Sequence, residues 1–266
     1  MIEQLESRIA PAAVAIFFEA DGDKVTIKSK FGTSADLQST LSDQNGAPIP
    51  VNGTGVTKFS MDLLKSPAIA AEFAGTDLSF TASGGDKTTG TANAVNLVSI
   101  NAFDGGDTTS IDLGKVVVKG TLNYIDAGDG DTDTPAIKTL DVTRMGPQTS
   151  GLSASFSEIH GDIGTVKIKE DFNGYLSSED AAGNSNFNTA DGTAIGTFYV
   201  GHSVAGTDGN DVGHLQVNLI EKLIVKTNFF GSIVAGVTNC GLFEIGDYIG
   251  TIAIKHMVGN ARIVLS

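Results

Sequence analysis

One seven-residue pattern recurs through the later part of the chain, and it constrains the fold more than any other feature. Leu113-Gly114-Lys115-Val116-Val117-Val118-Lys119 resembles Ile163-Gly164-Thr165-Val166-Lys167-Ile168-Lys169. The same pattern returns as Ile195-Gly196-Thr197-Phe198-Tyr199-Val200-Gly201 and Ile249-Gly250-Thr251-Ile252-Ala253-Ile254-Lys255. Looser copies begin at Val212 and Ile220. The rule is apolar, Gly, polar, apolar, any, apolar, then Lys or Gly. Several copies reach a further apolar residue three positions on: Leu122, Phe172, Val204, Phe229 and Val258. Alternation with period two is the mark of a strand with one buried face. Copies starting 8 to 50 residues apart leave loops of unequal length between strands.

A strand of this kind cannot bury its apolar face alone, but stacked copies bury a continuous column. The fold expected is therefore all-β: a right-handed parallel β-solenoid preceded by an N-terminal β-rich cap or small sandwich. The expected core stack is Val116, Val118, Val166, Ile168, Phe198, Val200, Ile252 and Ile254. Gly at the second position is expected to supply the bend entering each strand. An ordinary β-sandwich with look-alike strands is the alternative. The organisation expected is an extension over 1–12, a β-rich region over 13–105 and the solenoid over 106–266.

The earlier region has unequal strand spacing. Ala13 to Glu19 and Lys24 to Lys30 flank Asp21-Gly22-Asp23, which reads as a hairpin with a tight primed turn. Val56 to Met61 and Leu78 to Ala82 read as further strands; 42–55 and 83–91 read as loops. Two short helices are expected, around 33–41 and 60–71. Ser60 is the expected cap of the second, and Leu63, Leu64 and Ile69 its inner face, with Pro67 limiting its length.

Composition narrows the function classes. Lys plus Arg total 17 against 31 Asp plus Glu, a net charge of −14 that repels nucleic acid. One cysteine, Cys240, excludes an intramolecular disulfide framework and a cysteine-rich metal cluster. No stretch approaches the ~20 apolar residues of a membrane helix. The run from Ile9 to Phe18 is short, contains Pro11 and follows Glu3 and Glu6 rather than a basic segment. It therefore does not read as a secretory leader. A mature chain, a trimmed one and a cytoplasmic one all stay open.

The segment Leu5-Glu6-Ser7-Arg8-Ile9-Ala10-Pro11-Ala12 resembles the LExRIAPA box of large secreted β-strand-repeat surface proteins of planctomycete- and verrucomicrobia-type bacteria. Residues 17–37 resemble the next segment of such proteins, and 113–134 and 163–176 their repeat units. The resemblance implies an extracellular or cell-surface, right-handed β-helix-like protein. It brings no catalytic residues with it.

Chemistry-bearing groups are few. Asp126, Asp129, Asp131 and Asp133 place four carboxylates in eight residues of a Gly-rich loop, a composition that suits Ca2+. An EF-hand reading from Asp129 fails, because Thr134 and Leu140 stand where Gly and Glu are required. The simpler account is a solvated turn whose carboxylates accept nearby backbone N–H groups. Asp21 and Asp23 form a weaker candidate. His160, His202, His214 and His256 show no metal-pair spacing, although stacked turns would bring His202 and His256 close. Lys115, Lys119, Lys167, Lys169, Lys222, Lys226 and Lys255, with Thr165, suggest a ladder of lysines on an outward face. Such a ladder would hold an anionic glycan or keep the sheet edge soluble. Cys240 reads as a small packed residue.

The function expected is non-catalytic: an extracellular or cell-surface structural protein that associates with itself into a fibre, sheath or layer. Val14 and Ile16 at one end and Ile263 and Val264 at the other are the expected contact strands, joined head to tail. Two alternatives stand beside it. One is a β-helix protein that binds or degrades polysaccharide; the other is a Ca2+-dependent adhesion module. No cofactor other than Ca2+ is suggested, and no nucleic-acid or membrane-spanning role.

Overall fold

The computed structural model describes residues 12–84, 93–105, 109–131, 133–146, 156–179, 194–204, 214–235 and 243–265. The protein is all-β with two short helices. The first half contains β1 (Ala13–Phe18), β2 (Lys24–Ser29), α1 (Ser34–Ser39), β3 (Leu41–Asp43), β4 (Phe59–Asp62), α2 (Pro67–Phe73), β5 (Thr76–Ser83), β6 (Val95–Ala102) and β7 (Leu113–Ala127). The second contains β8 (Ile137–Met145), β9 (Phe156–His160), β10 (Ile163–Ile168), β11 (Tyr175–Glu179), β12 (Ala194–Val200), β13 (Ser203–Val204), β14 (His214–Ala235) and β15 (Phe243–Leu265). Hydrogen bonding joins them into one mixed sheet. The pairs β1–β2, β2–β5 and β3–β4 are antiparallel. From β5 and β6 onward the pairing is parallel.

Register explains why the seven-residue pattern recurs. Leu78, Val116, Leu140, Val166, Phe198, Leu223 and Ile252 lie directly opposite one another on successive strands. Phe80, Val118, Val142, Ile168, Val200, Val225 and Ile254 form a second column. A third runs Leu113, Ile137, Ile163, Ile195, Ile220 and Ile249. The expected core-stack residues all fall in these columns. Six of them are fully buried, while Ile252 and Ile254, on the last strand, are only partly buried. Leu140, Leu223, Val142 and Val225 complete the columns although no Gly precedes them at the motif spacing.

A separate column begins beyond the first ladder: Leu97, Leu122, Met145, Phe172, Val204 and Phe229. Backbone register sets Met257 opposite Phe229, where the sequence pattern pointed to Val258. Phe172 meets Phe198 edge to face at 5.3 Å between ring centroids, so the two ladders pack on each other. The stretch before residue 105 joins the same columns, since β5 and β6 both bond to β7.

The motif glycine has a different cause from the one expected. Gly114, Gly164 and Gly196 do not need a positive φ; they need closeness. A Cβ on Gly164 would lie 2.5 Å from the Lys138 carbonyl oxygen, and one on Gly196 would lie 2.6 Å from that of Gly164. At Gly164 and Gly196 the backbone therefore sits against the strand before it, leaving no room for a side chain.

Local signals settle the rest. Thr33 caps α1, its hydroxyl accepting the Asp36 N–H. The second helix starts later than Ser60: Ser66 is its cap and Pro67 its first residue. Proline's missing N–H costs nothing in the first turn, so Pro67 opens this helix instead of ending it. Ser60 lies in β4. Between β1 and β2 the Gly22 φ is 88°, but Asp21 has no positive φ, so the turn is not of the primed type. The Glu19 N–H donates to the Asp23 carbonyl (2.8 Å) and the Gly22 N–H to that of Glu19 (3.1 Å), a three-residue hairpin loop with a left-handed glycine.

Stack position should set the cost of truncation. Phe198→Ala, in the middle of a column, should lose about 3–5 kcal/mol in urea unfolding, and Ile254→Ala less than about 2 kcal/mol. Equal losses would mean that the last layer is as deeply packed as the middle.

Candidate functional site

The carboxylates were the main chemical candidates, and most have structural partners at strand ends. Asp77 accepts the Lys115 N–H (2.7 Å), Asp126 that of Glu158 (3.0 Å), Asp162 that of Ala194 (2.7 Å) and Asp171 that of Ser203 (3.1 Å). In each case the donor lies 32 or more residues away, in a neighbouring layer. Parallel strands leave N–H groups unpaired where a layer turns, and an ionised side chain there is a strong acceptor.

The Asp-rich loop follows the same logic. Asp129 accepts the Asp131 N–H and Asp131 the Asp133 N–H, both at 2.9 Å, two successive Asx turns. Asp126 stands apart on β7, turned to Glu158. Beside the loop, the carboxyl of Asp112 accepts the Thr134 hydroxyl (2.5 Å), and burial raises its pKa above the usual carboxylate range. Among the described residues these four Asp are not brought together as a metal-sized cluster.

The carboxylates that do converge are those of Glu19, Asp21 and Asp23, with one oxygen from each lying within 4.8 Å of the others. Glu19 follows β1 with 4% of its surface exposed, and Asp23 is fully buried. Oε1 of Glu19 accepts the Asn96 N–H (3.2 Å) and Oδ2 of Asp23 that of Asn93 (2.6 Å), tying the turn to the start of β6. Oε2 of Glu19 is buried without a hydrogen-bond partner. Burial pushes the Glu19 carboxyl up to about 7; the Asn96 N–H opposes this, and Asp21 and Asp23 add to it.

The outward lysines do not form a ladder. Register places Lys115, Thr139, Thr165, Thr197, Lys222 and Thr251 in one column and Val117, Asp141, Lys167, Tyr199, Ile224 and Ala253 in the next. Unequal residue choice from layer to layer separates the charges, and Lys169 pairs with Asp141 of the preceding strand at 2.9 Å. Lys28, Lys30 and Lys115 do gather around a shallow groove of about 320 Å3 on β2, β5 and β7. Lys226 and Lys255 flank another, of about 260 Å3, on β14 and β15.

The histidines are dispersed. His202 Nδ1 lies 2.6 Å from the Asp171 carboxylate at the surface. His160 is buried, its ring stacked on Phe103 with 3.5 Å between centroids. His214 and His256 are placed by backbone only; His256 lies opposite Asn228, itself opposite Ser203, so His202 and His256 are not on adjacent layers. Cys240 lies outside the described residues.

The two expected contact strands differ. Val14 and Ile16 point away from the core on β1, but the outer backbone edge of β1 is occupied. Ile16 accepts the Asn52 N–H, Phe18 bonds Gly53 and Val56, and the Val14 N–H reaches the Ser34 hydroxyl. Along residues 248–258, β15 has a strand partner on one side only, among the described residues. Ile263 and Val264 pair by backbone with Ile233 and Val234 of β14.

No protein-family model, no curated protein and no solved structure matches this chain. No helix among the described residues is long and apolar enough to cross a membrane.

Buried acids give the stability a pH dependence of defined sign. The Asp126 carboxyl is also pushed up, to about 6, by burial first, with the Glu158 charge adding and its N–H opposing. Because both folded values lie above the unfolded ones, the folded chain keeps protons that the unfolded chain has lost. Stability should therefore fall as pH rises from about 4 to 7, the loss being complete above that window. In chelator, melting should occur several degrees higher at pH 5 than at pH 8, and Glu19→Gln with Asp126→Asn should flatten the difference. A profile unchanged by the two substitutions would remove these groups from the account.

Proposed function

We propose that this chain is a non-catalytic structural module, a right-handed parallel β-solenoid of the extracellular space or cell surface that joins to further copies of itself. The observation that supports the reading is the run of parallel strand pairs from β5 to β15, ending on a strand that along residues 248–258 has a partner on one side only among the described residues. An open parallel edge carries unpaired N–H and C=O groups along its length and is a template for another strand. The bonded edge of β1 makes it a poor acceptor, so the joint favoured is between the β15 strands of two copies. That joint is isologous, and it pairs solenoids end to end; fibres or layers then need a second contact, for which Val14 and Ile16 are available.

The regular use of Asp at strand ends as backbone acceptors, together with shallow grooves on the outer face, favours a scaffold over an enzyme. The Lys28, Lys30 and Lys115 groove supports one second reading, the holding of an anionic polysaccharide strand on the outer face of the sheet.

Size-exclusion chromatography with light scattering, across a wide concentration range, tests the first reading. Dimers or larger ordered species are expected, and deleting 263–266 should weaken them while the circular dichroism of the sheet persists. A strict monomer at every concentration overturns self-association. Retention on an immobilised polyuronate, lost in Lys28→Ala with Lys115→Ala, would then favour the glycan reading.

A further inference from the structure

We infer that the turn between β1 and β2 is a binding site for one calcium ion, held by a carboxylate oxygen from each of Glu19, Asp21 and Asp23. The inference is independent of the assembly reading. Three observations carry it. The first is geometric: the three oxygens lie within 4.8 Å of one another. Ligands of one ion at the usual Ca–O distance of roughly 2.4 Å stand at most about 4.8 Å apart, a condition that every pair of these oxygens meets. Magnesium dehydrates reluctantly and is usually held through one or two carboxylates, so three converging carboxylates favour calcium.

The second is an orphan atom. Glu19 is 4% exposed, and its Oε2 is buried without a donor, although the residue's other oxygen is satisfied by the Asn96 N–H. A buried carboxylate oxygen without a partner is costly, and a cation removes that cost.

The third is the way the ligands are held. The Glu19 backbone is fixed by its N–H donating to the Asp23 carbonyl, by its carbonyl accepting the Gly22 N–H and by pairing with Val56. Asp21 accepts the Asp23 N–H (3.1 Å), while Glu19 Oε1 accepts the Asn96 N–H and Asp23 Oδ2 that of Asn93. The turn is thus anchored to the loop before β4 and to the start of β6. A cation here would fasten the antiparallel hairpin to the first of the parallel layers. The rest of its coordination would come from water on the partly exposed Asp21 side.

Isothermal titration of the chelator-stripped full chain with CaCl2, paired with melting curves, tests the site. One Ca2+ per chain is expected, with a higher Tm and weaker binding of Mg2+. Glu19→Gln and Asp21→Asn should each weaken Ca2+ binding by about tenfold or more and reduce the Tm rise. The pair Asp129→Asn and Asp131→Asn, in the Asp-rich loop, should leave both unchanged. Glu19→Gln removes a buried charge, so it should fold at least as well as the parent in chelator. No binding at millimolar Ca2+ overturns the inference. So does binding that survives the turn variants, binding lost in the loop variants, or Mg2+ bound as tightly as Ca2+.

Discussion

Everything in this molecule depends on parallel strands stacking in register about 4.8 Å apart. At that spacing each side chain on one strand meets the side chain at the matching position on the next. Apolar residues in register with apolar counterparts above and below bury one another. Val166 is held by Leu140 on one side and Phe198 on the other, and the same holds at every layer between β5 and β15. Misalignment by one residue at any layer would turn its inner face outward, so the columns enforce one another.

The same stacking accounts for the acidity. Where a layer turns, an N–H is left without a carbonyl, and Asp77, Asp126, Asp162 and Asp171 each meet one from a neighbouring layer. Part of the net charge of −14 thus serves to satisfy the backbone. Glu19 departs from this pattern. Its second oxygen is buried at the turn without a hydrogen-bond donor.

The all-β class, the core columns and the hairpin at Asp21-Gly22-Asp23 were legible in the sequence because period-two alternation and turn residues act locally. The column running from Leu97 to Phe229 was half legible: Leu122, Phe172, Val204 and Phe229 stood at a fixed offset from the motif, but Leu97 and Met145 did not. Other features were hidden. Pro67 reads equally as the stop of one helix or the first residue of another, and only the Ser66 cap decides. The lysine ladder dissolved because copies that look alike in isolation contribute Thr, Asp or Tyr at the stacked position. Glu19 read as the last residue of a strand, and nothing nearby in sequence reveals that Val56 and Asn96 close over it.

The sequence by itself determined that the chain forms strands, which residues of each strand face inward, and that charged groups gather at the turns. These follow from alternation, β-branching and glycine, properties of neighbours along the chain. Only the tertiary structure decided which strands lie beside which, and so which carboxylates meet an N–H and which meet one another. Strand partners here are set by loops of unequal length, from a few residues to several tens. Loop length is weakly constrained by energy, since closure entropy grows only slowly with it. The local hairpin brings Glu19, Asp21 and Asp23 together, but their closure by Asn93 and Asn96, some seventy residues onward, is a consequence of that folding and of no local rule.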